Sequence, residues 1–161
     1  MEIFDFAVKM EREGESYYRS LSEKVSHRGY KGILNLLAEE ERAHAELIEK
    51  VHGGKEPQTL NSPVLKEAVS VFADMKVSLD LPEFSAGEVE LYKKALVVEE
   101  KSYEFYQRLS NESQDPLARK VFRNLAKEEK KHCFLMESLI AFVAHPKVWV
   151  ENAEFNHLEE Y

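Results

Sequence analysis

The sequence predicts an all-α fold: a four-helix bundle whose second and third helices are joined by one long crossover. Three observations carry that prediction. Four stretches repeat apolar residues at alternating steps of three and four, the spacing that keeps side chains on one face of an α-helix. The two halves of the chain superimpose without a gap at a shift of 88 residues, so a helical hairpin occurs twice. About thirty residues separate the hairpins, too many for a tight turn and enough for a crossover.

The first helix is predicted over about residues 3–26, with Phe4, Val8, Glu11, Tyr18, Leu21 and Val25 facing inward. The second runs from about Arg28 to His52. It turns Ile33 or Leu34, Leu37, Glu41, His44, Ile48 and Val51 inward, and Gly53 stops it in the position that favours a left-handed backbone. Within the crossover, Asn61-Ser62-Pro63 reads as a helix start. Leu65, Ala68, Phe72, Met75 and Leu79 follow at helical spacing and predict a short extra helix. Ser85 and Glu88 have the spacing of a capping box at the head of the third helix, which carries Tyr92, Leu96, Glu99, Tyr106 and Leu109 and ends near Ser110 to Ser113. Asp115-Pro116, a capping residue followed by a proline at the first helical position, opens the fourth. Its inward residues are Phe122, Leu125, Glu129, His132, Met136, Leu139 and Val143, with Pro146 at or just beyond its end.

The 161 residues suit one domain, 1–161, divided into a helix pair (1–52), a crossover (53–84), a second pair (85–143) and a tail (144–161). The tail holds aromatics without a period and is expected along the bundle or on a neighbouring subunit. A net charge of −8 without a clustered basic face disfavours a nucleic-acid backbone, so no nucleic-acid partner is expected. No apolar run approaches the ~20 residues that cross a bilayer, and the N-terminus lacks a basic leader, so no membrane partner and a cytoplasmic location are expected. A single cysteine, Cys133, excludes an internal disulfide and any sulfur-rich metal knuckle.

Across the repeat, Glu11 falls on Glu99, Tyr18 on Tyr106, Glu40 on Glu128, Glu41 on Glu129 and His44 on His132. Glu11, Glu41 and His44, with their partners Glu99, Glu129 and His132, are polar identities on the inward stripes. Four unpaired carboxylates in a core cost several kcal/mol each and repel one another. Two divalent cations cancel their charge while the histidines coordinate as neutral imidazoles. Glu and His three residues apart share one helix face and reach one ion. The spacing also occurs at Glu49/His52 and Glu154/His157, but neither recurs in the other half. Only Glu41/His44 and Glu129/His132 do, each with a third carboxylate 30 residues upstream.

These residues resemble those of the ferritin-like di-iron carboxylate proteins, and within them the rubrerythrin group, over about residues 1 to 143. The resemblance implies a ferritin-like bundle holding two iron ions, with manganese the other candidate. By motif, Glu11 and Glu99 are terminal ligands, Glu41 and Glu129 bridge, and His44 and His132 each complete one ion. Tyr18 and Tyr106 resemble the tyrosines that hydrogen-bond ligand carboxylates in that group; a packed aromatic is the other reading of both. The implied activity is that of a peroxidase or oxidoreductase: a reduced metal pair gives one electron per ion to hydrogen peroxide or oxygen, with Glu41, Glu129, Tyr18 and Tyr106 nearest the chemistry. A homodimer is implied as well.

Two departures stand out. The four-cysteine rubredoxin domain usual in rubrerythrins is not in this sequence, so an external electron-donor protein is expected. Rubrerythrins also carry a further glutamate one turn after the third-helix ligand, where this chain has Ser102. A ferroxidase or iron-handling protein is the alternative function, and a metal-free helical interaction module is the alternative of another class. Gly14 and Ser102, one turn after each terminal glutamate, leave room for a small oxidant or for close helix packing. Glu40 and Glu128 project off the stripe and are expected at the solvated surface or in inter-subunit ion pairs. Cys133 is expected as a buried, inert thiol, His27, His52, His145 and His157 at the surface, and Trp149 and Phe155 as packing anchors.

Overall fold

A computed structural model describes residues 2–56, 60–78 and 85–145. Among these there are five α-helices and no strand: α1 (Glu2–Glu23), α2 (Arg28–His52), α3 (Val64–Ser78), α4 (Ala86–Glu112) and α5 (Pro116–Ala144). Connections of three or four residues join α1 to α2 and α4 to α5, which makes each pair an antiparallel hairpin. The extra helix α3 packs against α2 and α5.

Local signals fix the ends. The Ser85 hydroxyl accepts from the Glu88 N–H, and the Asp115 carboxylate accepts from the Leu117 and Ala118 N–H groups ahead of Pro116. His27, expected at the surface, caps α2 by accepting from the Tyr30 N–H. Helix α1 stops at Glu23, short of the expected 26, because Lys24 and Val25 bond back to Leu21 and Ser22 in tighter three-residue turns. Gly53 keeps an ordinary φ of −80° and Gly54 takes the positive one, 77°. The helix stop is therefore spread over two glycines, and the left-handed residue lies one position later than expected.

Two apolar clusters occupy the interior. One gathers Tyr30, Leu34, Phe72, Tyr92, Leu139 and Phe142 beside α3, and the other gathers Ala7, Ile48, Tyr106, Phe122 and Leu125. Along each of α1, α2, α4 and α5, the inward glutamates and histidines fall between the residues of one cluster and those of the other. The bundle is oily at both ends of a polar layer. Of the expected inward residues, Phe4, Val8, Val51 and Leu96 are half-buried, and both Ile33 and Leu34 are buried. Leu79, Pro146, Trp149, Phe155, His157 and the rest of the tail lie outside the described residues.

Candidate metal centre

The polar layer contains Glu11 from α1, Glu41 and His44 from α2, Glu99 from α4, and Glu129 and His132 from α5. None is more than 5% exposed. They form two overlapping groups, Glu11, Glu41, His44 and Glu129 in one and Glu41, Glu99, Glu129 and His132 in the other. Within each group, one donor atom per residue lies within 4.8 Å of all the others. Glu41 and Glu129 belong to both groups, so the structure brings together all six residues expected at a metal site, with the expected pair in the middle.

The imidazoles aim Nδ1 at the carboxylates. His44 Nδ1 is 2.9 Å from Glu129 and 3.4 Å from Glu11. His132 Nδ1 is 2.8 Å from Glu41 and 3.4 Å from Glu99. The rings stack nearly parallel, with centroids 5.5 Å apart. Glu11 Oε2, Glu41 Oε1, Glu129 Oε2 and His132 Nδ1 are buried and have no hydrogen-bond partner. Each orphan of this kind costs roughly 1–3 kcal/mol or more. These orphans fall within the two donor groups, each of which could hold an ion, and hard oxygens with imidazole nitrogen and no thiolate suit iron or manganese.

Titration behaviour follows from the same crowding. Burial, with the Glu11 and Glu99 charges, pushes the Glu41 carboxyl well above the usual range; burial and the Glu41, Glu99 and Glu11 charges do the same to Glu129. Burial also acts against Glu99, but the His132 charge and hydrogen bonds outweigh it and take that carboxyl down to about 2. Glu11 is likewise lowered, burial being outweighed by His44 and by hydrogen bonds. Burial works against charge on His132 too, yet the Glu99 charge, the bond from Nε2 to Glu40 and the nearness of Glu41 to Nδ1 raise it well above its ordinary value. Without a cation, raised carboxyls at Glu41 and Glu129 and a raised imidazole at His132 ease part of the crowded negative charge.

The tyrosines resolve in favour of the carboxylates. Tyr18 on α1 donates to Glu99 on α4, and Tyr106 on α4 donates to Glu11 on α1. These two bonds cross between the hairpins. Burial first, and then the neighbouring carboxylates, raise both phenols, so they remain donors. Tyr17 adds a bond to the Leu91 carbonyl at 2.7 Å. Between α1 and α4, an apolar cavity of about 650 Å³ reaches Glu41 and Glu99, with Met10, Gly14, Val98 and Ser102 in its walls. A Cβ on Gly14 would stand 2.7 Å from Glu41 Oε2. Close approach of this carboxylate is what the small residue permits.

Glu40 and Glu128 correct the sequence reading. They are 8% and 2% exposed, not solvated. Glu40 accepts from Ser62 and lies 3.2 Å from His132 Nε2; Glu128 pairs with Lys131 at 3.4 Å. Helices α2 and α5 have neighbours on several sides, so their buried arc is wider than one stripe. The matching identities at 40 and 128 were the signal for both. Cys133 is half-buried, and burial pushes its thiol up to about 12, as befits an inert side chain. His52 and His145 are exposed as expected, and His52 stacks on Phe4.

The rubrerythrin family model matches residues 2–140. No curated protein matches the chain. Among solved structures, a hypothetical protein from Pyrococcus furiosus shares 22% identity over 89% of each chain, with a TM-score of 0.66, a likeness of fold. No helix among the described residues is long and apolar enough to cross a membrane.

Proposed function

The chain belongs to the rubrerythrin family, and from that premise we propose that it is a di-iron carboxylate oxidoreductase reducing hydrogen peroxide or oxygen with electrons from an external donor protein. The observation that carries the reading is the sharing of Glu41 and Glu129 by two four-residue donor groups. In this reading Glu11 and His44 would hold one ion, Glu99 and His132 would hold the other, and Glu41 and Glu129, common to both groups, would serve both. The scaffold is a ferritin-like four-helix bundle with one long crossover, and the family resemblance favours a homodimer.

When bound, the two ions would supply one electron each, which with two protons takes hydrogen peroxide to two waters or oxygen to hydrogen peroxide. The residues around them set the conditions. Tyr18 and Tyr106 each occupy an oxygen of a terminal glutamate, which leaves Glu11 Oε2 without a hydrogen-bond partner and available to an ion. Their raised phenols keep their protons, so the bonds persist through neutral pH. The cavity between α1 and α4 gives a small oxidant a path to Glu41 and Glu99. Its walls are largely apolar with Glu13, Glu90, Lys93 and Lys94 among the lining residues, while the buried clusters lie on either side of the layer.

Elemental analysis of protein purified without chelators tests the site; two ions per chain are expected, and fewer than about one refutes it. Stopped-flow oxidation of the iron-loaded, reduced protein then compares peroxide with oxygen. Rapid peroxide-driven oxidation with iron retained supports the oxidoreductase, whereas iron released or accumulated beyond two per chain marks it as substrate and overturns this reading for iron handling.

A further inference from the structure

Duplication predicts two equal half-sites, and the structure breaks that equality at the histidines' remote nitrogens. His132 Nε2 lies 3.2 Å from Glu40 Oε1, the same oxygen that accepts from Ser62 just ahead of α3. With Nε2–H given to Glu40, the Nδ1 lone pair points at Glu41 and Glu99. By the repeat, Glu128 should serve His44 in the same way. No hydrogen bond joins those two residues; Glu128 Oε1 instead pairs with Lys131, while the second oxygens of Glu40 and Glu128 are alike buried without a partner.

Two sequence differences explain the break. Lys131, one residue before His132, captures Glu128, whereas the corresponding residue of the first half is Ala43, which offers Glu40 no competing cation. Ser62, which anchors Glu40, comes from the segment between the hairpins, and the residue 88 positions later is Val150, which has no hydroxyl. Glu40 is thus held for His132 by an element outside the repeated helices, while Glu128 is diverted along its own helix.

We propose that Glu40 is a positioning residue for His132, and that it makes the ion held by Glu99 and His132 bind first and more tightly than the ion held by Glu11 and His44. The inference rests on the metal-centre reading above. A carboxylate on the far nitrogen of a ligating imidazole fixes its tautomer and ring orientation and raises its basicity, and loss of such a partner typically costs 10–100-fold in metal affinity. Ser62 acts one step further out by holding the accepting oxygen in place.

The test is a titration of the metal-free full chain with Co²⁺, followed by visible absorption. The wild type is expected to fill in two resolved steps. Glu40→Ala should weaken the tighter step by about 10–100-fold and leave the other in place. Glu40→Gln should recover part of the loss, since its carbonyl still accepts the Nε2–H without supplying charge. Ser62→Ala should shift the same step in the same direction but less, and Glu128→Gln should leave it unchanged. In the Zn²⁺-loaded protein, the His132 Nε2–H should be protected from exchange in the wild type and lose that protection in Glu40→Ala. Two ions bound with one affinity would overturn the proposal, as would a Glu40 substitution that weakens both steps equally or a Glu128 substitution with the same effect. Absence of Co²⁺ binding would overturn the metal centre itself and, with it, this inference.

Discussion

Replacing Gly14 by alanine separates the stability of the helix from the geometry of the site. An ideal Cβ at this position meets Glu41 Oε2 at 2.7 Å, Cδ at 3.4 Å and Cγ at 3.6 Å. Ordinary contact requires the oxygen to retreat by at least about half an ångström. Glu41 cannot retreat freely, because His132 Nδ1 stands 2.8 Å from its other oxygen. A shift of about 0.5 Å is the tolerance within which a metal-binding constellation works, so the loss in ion affinity should be about tenfold, or roughly 1.4 kcal/mol. Gly14 lies well inside α1, where alanine is favoured over glycine by about 0.8–1.0 kcal/mol. The metal-free variant should therefore melt about 2–4 °C higher while binding metal more weakly. Thermal melts of the metal-free protein and a Mn²⁺ titration measure the two effects. Affinity equal to or better than wild type would refute the placement of the Glu41 carboxylate against α1.

Four further outcomes are expected. Loading divalent ions near pH 7 should release protons, drawn from Glu41, Glu129 and His132, whose folded pKa values are all raised; titration in buffers of differing ionisation enthalpy counts them, and zero release would contradict protonation within the empty layer. Metal-free stability should fall as pH rises from about 5 to 8, because folded Glu41 and Glu129 keep protons that the unfolded chain loses near 4.5, each contributing up to about 1.4 kcal/mol per pH unit. His132 adds to the decline above 6.5, while Glu99, lowered to about 2, contributes stability present above 4.5 and lost as pH falls through 2; urea melts that rise steadily to pH 8 would contradict this. Tyr106→Phe removes a donor from the ionised Glu11 and should cost the metal-free protein about 1.5–3 kcal/mol, measured by urea unfolding, with no loss disproving the bond's contribution. Glu129→Ala should lose both ions by elemental analysis, and a full complement would remove the bridging assignment.

The six centre residues were legible because two independent regularities agreed at them. Polar side chains on an apolar stripe are costly, and these recur in register across a gap of 88 residues. Either signal alone also marked other positions: Glu49/His52 has the spacing without the recurrence, and Glu40/Glu128 has the recurrence without the stripe. The second pair was misread because a single stripe describes a helix with one covered face, and α2 and α5 are covered more widely. The crossover helix could be placed, since Leu65, Ala68, Phe72 and Met75 keep helical spacing and are buried. Its contribution to the site could not be read, because Ser62 reaches Glu40 across 22 residues through tertiary contact alone.

A repeated hairpin fixes which residues converge but not how their charge is shared, and the sharing is what distinguishes this site. Two carboxyls pushed up at the centre, two lowered at the flanks and one raised imidazole form an arrangement in which protons offset part of the charge while the layer is empty. Each group that keeps a proton also has an atom with no hydrogen-bond partner. Protonation therefore settles the charge and leaves the directional bonding unmet, whereas two divalent ions satisfy both. The two apolar clusters close the layer at both ends, so protons and metal are the two ways of meeting its charge, and rising pH weakens the first.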